Sequence, residues 1–276
     1  MRIALILVLC LSLLSPAHGA PLRTPPGEQV MAYGSDPAQT LDFWPGKTDS
    51  KPNIARPLVI FVHGGGWKRG SKDNATGRYK SVHYQQLGYA FASIDYRLVP
   101  GATVEQQAQD VADAVAFLRR RAATLGVDPG RIVLVGTDMR YFAKAGLSPD
   151  AVRGIIPLDG AAYDVAAQMA QSGRFMKGTY EQAFGTDPAR QQALSPTRHA
   201  ARPNAPAFLI LHVDRDDGTA QSQALAAALK RAGTPVEIRA LEGRGLRGHM
   251  QINRQMGDPA YPGTAVVDDW LARVFR

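Results

Sequence analysis

Short unbroken apolar runs recur along this chain, with helical stretches between them. Pro57 to Val62 reads Pro-Leu-Val-Ile-Phe-Val and ends in glycines. Ala90 to Tyr96, Arg131 to Val135, Gly154 to Leu158, Ala207 to Val213 and Val236 to Leu241 follow the same style. A strand that is apolar on both faces has no side to give to water. It belongs in a sheet covered above and below, and helices between such strands make that sheet mostly parallel. The predicted class is therefore α/β, a mostly parallel central sheet with helices on both faces. Residues 29–33 and 41–44 alternate more and suit antiparallel edge strands.

The clearest helix is predicted from Val104, Ala108, Val111, Val115 and Leu118, one apolar face at four-three spacing. Gln106, Gln107, Gln109 and Arg119 fall off that face, and Gly126 closes the segment. Further helices are expected over 220–231 and 265–274. Residues 161–200 have weaker patterns broken by Gly and Pro, as a small cap would. The length suits one domain over 20–276.

Residues 1–19 have their own logic. Arg2 precedes an apolar run from Ile3 to Leu14, too short to span a bilayer. Ser15-Pro16 breaks it and Ala17-His18-Gly19 supplies small residues for cleavage. The expectation is a secretory signal peptide, a periplasmic or secreted mature chain, and no stable membrane insertion after cleavage. Cys10 is the single cysteine, and it leaves with that segment. The formal charge of +8 comes from scattered basic residues, and Arg119-Arg120-Arg121 lies at a helix end, where cations complement the dipole. No nucleic-acid partner is expected. No cofactor and no metal site are expected either, since metal-ligand, phosphate-loop and dinucleotide spacings are absent. Oligomeric state is left open by the sequence.

His63-Gly64-Gly65-Gly66-Trp67 directly follows the Pro57 to Val62 run. Glycines at a strand end let backbone N–H groups approach a bound group closely. Such donors, fixed where negative charge develops on a carbonyl oxygen, make an oxyanion hole. His249 follows the last strand run, in Gly248-His249-Met250, where it can reach back over the sheet as a base. Asp214, Asp216 and Asp217 cluster just after Ala207 to Val213.

Taken in order, His63 to Trp67, Asp95-Tyr96-Arg97-Leu98, the Asp110 to Leu118 helix, Leu158-Asp159-Gly160-Ala161-Ala162-Tyr163-Asp164 and Gly248-His249-Met250 resemble the α/β-hydrolase superfamily. The resemblance is to its hormone-sensitive-lipase-like and carboxylesterase group, near arylformamidase-like enzymes, and it covers nearly everything after about residue 28. It implies hydrolysis of a small-molecule carboxylic ester or similar acyl bond by a serine, a histidine and an acid. The resemblance assigns His249 as base, Asp214 as its acid with Asp217 the rival, and Gly64 and Gly65 as the oxyanion hole.

One part does not match. The family pattern calls for Gly-x-Ser-x-Gly after Arg131 to Val135, and the chain reads Gly136-Thr137-Asp138-Met139-Arg140. Asp138 stands where the serine would. Two readings are open. Asp138 is a substitute nucleophile of the dehalogenase and epoxide-hydrolase type, although an aspartate attacking an ester would form a poor anhydride intermediate. Otherwise the elbow and the helix after it are missing, since residues 136–153 leave two helical turns at most before Ser148-Pro149. The resemblance favours the second, because Gly136-Thr137-Asp138 is similar to the text that follows that helix in relatives. On that reading the chain is an esterase relative without its serine, or an inactive binding protein that keeps the pocket.

Overall fold

The computed structural model describes residues 29–47, 54–136 and 145–276. The expectations for a signal peptide at 1–19, for Asp138 as nucleophile and for a lost helix after it fall wholly or largely outside these residues.

Within them the chain builds an eight-stranded sheet in the order β1-β2-β4-β3-β5-β6-β7-β8. β1 (Gln29–Ala32) and β2 (Thr40–Trp44) are the antiparallel edge. β3 (Arg56–Val62), β4 (Ala90–Ile94), β5 (Val127–Val135), β6 (Gly154–Ile156), β7 (Phe208–Asp214) and β8 (Val236–Arg244) run parallel. Each predicted strand is present, with ends moved by a few residues. β6 is the shortest, and Leu158 beyond it still bridges Leu211 of β7.

Strand alternation sorts the core into two layers. Leu58, Ile60, Ile132, Leu134 and Ile210 face one side. There they meet Val111, Val115 and Leu118 of α3 (Val104–Arg120) and Leu225 and Leu229 of α8 (Asp216–Arg231). Val59, Phe61, Val133, Leu209 and Leu211 face the other. Their partners are Tyr84 of α2 (Lys80–Gln86), Ile252 of α9 (Gly245–Gln255) and Val267, Trp270 and Leu271 of α10 (Pro262–Val274). Burial of each such side chain stabilises by roughly 1.5–3 kcal/mol, which is why these strands carry no polar face. A short α1 (Lys72–Thr76) follows the glycine loop.

α3 begins with a capping box, Thr103 with Gln106. It ends at Arg120, and a separate turn, α4 (Ala122–Leu125), reaches Gly126 in the left-handed conformation. Gln107 differs from its expected outward position. It is buried, and its Nε2 donates to the Trp67 carbonyl at 2.8 Å. Residues 161–200 hold α5 (Val165–Gln171), α6 (Arg174–Phe184) and α7 (Pro188–Ala193). Their apolar residues, among them Val165, Tyr180, Phe184 and Leu194, form a third cluster that packs on Trp67.

Candidate active site

Chain order and spatial order reverse at β3. The connection from β3 leads outward to β4, and α3 then returns the chain to β5 on the other side of β3. Open α/β sheets bind ligands at the carboxyl ends of strands beside such a switch point. His63-Gly64-Gly65 leaves β3 there, and Gly136 leaves β5 next to it. Phe61 pairs with Val135, and a Cβ added to Gly136 (φ 106°) would lie 2.8 Å from the Val62 carbonyl oxygen. The glycine loop and the exit of β5 are therefore immediate neighbours.

The loop's shape is held from below. His63 is buried, stacks on Tyr96 at a 4.2 Å centroid separation, and accepts the Tyr96 hydroxyl on its own carbonyl at 2.6 Å. Its Nδ1 lies 2.8 Å from the Gly64 carbonyl oxygen. A carbonyl only accepts, so Nδ1 carries the proton. Burial drives the His63 pKa below its ordinary value, which favours this neutral form. In a planar trans peptide the C=O and the next N–H point opposite ways. With the Gly64 carbonyl turned toward His63, the Gly65 N–H turns away from it. Gly65 has φ +136° and no room for a side chain, since an added Cβ would meet the Arg69 carbonyl oxygen at 2.0 Å. Both Gly64 and Gly65 are exposed just beyond the carboxyl end of β3, as donors to a ligand must be.

His249 lies inside α9, one turn in from its start. Its Nδ1 is 2.7 Å from Asp159 Oδ2, and its side chain is 37% exposed while that of Asp159 is fully buried. Asp159 follows β6 in a left-handed turn with φ 45°, a conformation that Asp tolerates better than most residues. Its N–H donates to the Leu211 carbonyl at 2.7 Å, and its Oδ1 accepts the Val213 N–H at 3.1 Å. A buried carboxylate with a fixed backbone donor and an imidazole on its other oxygen is the geometry that orients a catalytic base.

The expected acid, Asp214, is not that partner. It ends β7 with a largely exposed side chain and pairs with Arg244 of the neighbouring strand at 2.8 Å. The β7–β8 register sets it opposite Arg244, the residue just before α9, and the ion pair occupies its carboxylate there. Asp216 and Asp217 lie in the first turn of α8. Asp217 receives Arg215 at 3.2 Å and Gln168 at 3.1 Å, and its Oδ1 accepts the Gly218 N–H. Asp159 escaped sequence reasoning, although it had a signal: a lone carboxylate before a glycine at the carboxyl end of an apolar strand. Two further histidines among the described residues have structural partners or burial of their own. His83 pairs with Asp268, and His212 is buried in β7.

Among the described residues, no group of three or more His, Cys, Asp or Glu could hold a metal ion. No helix among them is long and apolar enough to cross a membrane.

Comparison with known proteins gives this geometry a context. Residues 41–138 match the BD-FAE family model. Esterase LipC of Mycobacterium tuberculosis is 30% identical over 228 residues, covering 71% of this chain and 56% of LipC. A probable isoprenylcysteine alpha-carbonyl methylesterase of Oryza sativa, ICMEL1, is 29% identical over 144 residues, covering 52% of this chain and 33% of that one. The chain thus spans about half, or less, of the length of these curated relatives. Among solved structures, esterase B from Lactobacillus rhamnosis superposes with a TM-score of 0.72 at 19% identity, covering 92% of this chain and 86% of that one. A truncated carbohydrate esterase from gut microbiota gives 0.68 at 19% identity, covering 88% and 94%. Strand order, helical layers and solved neighbours agree on the α/β-hydrolase fold, and the proteins this chain resembles in sequence are esterases.

Proposed function

We propose that this protein binds a small carboxylic ester and hydrolyses it slowly, with His249 activating water directly in place of a serine. The observation that carries this reading is the His249–Asp159 pair at 2.7 Å, on the same strand-end edge as the exposed Gly64–Gly65 backbone. Residues 136–147 contain no serine, and Ser148 precedes Pro149, so the serine step expected of the family has no candidate on β5's exit.

In this mechanism Asp159 holds the Nδ1 proton and leaves Nε2 free to accept. Nε2 takes a proton from water as the water oxygen bonds to the ester carbonyl carbon. The carbonyl π pair moves to oxygen, and the N–H groups of the Gly64–Gly65 loop stabilise the oxyanion. Collapse expels the alcohol oxygen, which recovers the proton from His249. A carboxylic acid and an alcohol leave. An oxyanion hole and a pocket alone retain about 10³- to 10⁴-fold catalysis over water when a triad member is missing, so slow turnover is the expected level. The ester class follows from the names of the relatives, esterase LipC above all. We also place the mature protein in the periplasm or outside the cell, on the strength of the apolar run at 3–14 and its small-residue end.

The test is p-nitrophenyl acetate hydrolysis by the purified mature protein. Steady turnover without an initial burst, abolished in His249→Ala and kept in Asp138→Asn, supports the mechanism. A stoichiometric burst signals a covalent nucleophile and overturns it. Loss in Asp138→Asn assigns the nucleophile to that carboxylate. A folded protein with no turnover above buffer overturns the proposed activity and leaves the reading of an inactive relative that keeps the pocket.

A further inference from the structure

Asp159 has a second partner. Its Oδ2, the oxygen that meets His249, also lies 3.4 Å from Nε of Arg215. The same guanidinium donates through Nη2 to the Asp159 carbonyl at 3.1 Å and through Nη1 to Asp217 Oδ2 at 3.2 Å. Asp217 is held in turn by Gln168 of α5, whose Nε2 also reaches the Tyr180 hydroxyl of α6 at 3.3 Å. The Arg215 side chain is only 17% exposed, so its charge is poorly screened by water. One carboxylate oxygen therefore serves two cation-capable groups, and a second carboxylate restrains the competitor.

We propose that Arg215, braced by Asp217, is a positioning residue that sets how much of the Asp159 charge is available to His249. A carboxylate beside an imidazole favours imidazolium, and a permanent cation on the same oxygen offsets that preference. Arginine keeps its proton at any working pH, so the offset is constant. The result is a carboxylate whose charge is divided between the imidazole that it orients and the guanidinium beside it. The other ionisable groups around Asp159 are Tyr163, whose hydroxyl oxygen accepts the Gly160 N–H at 3.1 Å, and Tyr261. Burial first, with Asp159 adding to it, raises both phenol pKa values, that of Tyr261 to about 12. Neither changes charge near neutrality. Glu242 also acts on Tyr261.

The relevance to ester turnover rests on reading His249 as the base. The charge arrangement does not, so its test does not use turnover. The His249 ring Cε1–H resonance, identified by its absence in His249→Asn, is followed by NMR across about pH 5 to 9. In Arg215→Met the midpoint moves up, by about half a pH unit or more, as one cation is removed. In Asp217→Asn it moves down, because Arg215 is released from its brace. Arg215→Lys restores most of the original midpoint. Opposite movements of this kind are not produced by loosening alone. Midpoints that coincide within about 0.2 pH unit, or that move the same way in Arg215→Met and Asp217→Asn, overturn the proposal. Should Arg215→Met fail to fold, Asp217→Asn and Arg215→Lys decide it. A shifting midpoint in a protein without turnover would sustain this inference and sink only the proposed activity.

Discussion

Lys80 is a cation with almost no water. It is 1% exposed, its Nζ donates to the Asn253 carbonyl at 2.5 Å, and it lies 4.7 Å from the centre of the Phe61 ring. Asn253 is in the last turn of α9, where a cation complements the helix dipole. Burial nevertheless dominates and lowers the Lys80 pKa from 10.5 to about 7. The unfolded chain therefore binds more protons than the folded one between about pH 7 and 10.5, so stability rises with pH through that window. A difference of about 3.5 pH units at about 1.36 kcal/mol each gives a ceiling of about 4–5 kcal/mol near pH 7. At pH 9 roughly half of that penalty is left, so moving from pH 7 to 9 returns about 2 kcal/mol. Lys80→Met keeps the stem's packing and removes the titration. Urea unfolding at pH 7, 8 and 9 reads the effect directly. The difference in stability between Lys80→Met and wild type should shrink by about 2 kcal/mol over that range, with the variant favoured most at pH 7. Parallel curves for the two proteins would refute the reasoning, since they would mean that Lys80 keeps the same proton in both states.

Other outcomes follow from the site. Asp159→Asn should lower ester turnover by about 10²- to 10⁴-fold, whereas Asp214→Asn should leave it within about twofold; the two rates measured side by side separate the acids. His63→Gln should flatten the acid side of the melting curve. The His63 pKa is lowered by burial, so wild type loses stability as pH falls below about 6.5, and melting temperatures at pH 5 and 7 compare the two. Gly65→Ala should destabilise by about 1–3 kcal/mol or distort the loop, because its Cβ would overlap the Arg69 carbonyl; chemical denaturation checks it.

What the sequence made legible was whatever depended on one element at a time. β3, β5 and β7 announced themselves because Leu58 to Val62, Ile132 to Val135 and Phe208 to Leu211 are apolar runs buried on both faces. α3 did so because its apolar stripe is regular. The glycine loop was readable because three glycines after a strand serve few other purposes. The carboxylate that meets His249 was not readable. Asp159 follows β6 and Asp214 ends β7, and only the relative placement of β6, β7 and α9 decides which lies beside His249. Asp214 lost to a cross-strand neighbour, Arg244, that is thirty positions away in sequence. Gln107 failed for a similar reason: a polar residue beside the apolar stripe is drawn inward when a backbone carbonyl such as that of Trp67 needs a donor.

Trp67 carries a consequence of its own. It has φ 64°, unusual for a bulky side chain. Its carbonyl receives Val99 N–H at 3.1 Å as well as Gln107, and its ring meets Phe184 at 4.6 Å and Tyr180 at 6.0 Å. The helices over 165–193 are therefore less a removable cover than a buttress. Clip them away, and the tryptophan loses the wall that keeps it in a costly conformation. The glycine turn beside it would then relax, and the carboxyl end of β3 would lose its shape before the sheet lost its strands.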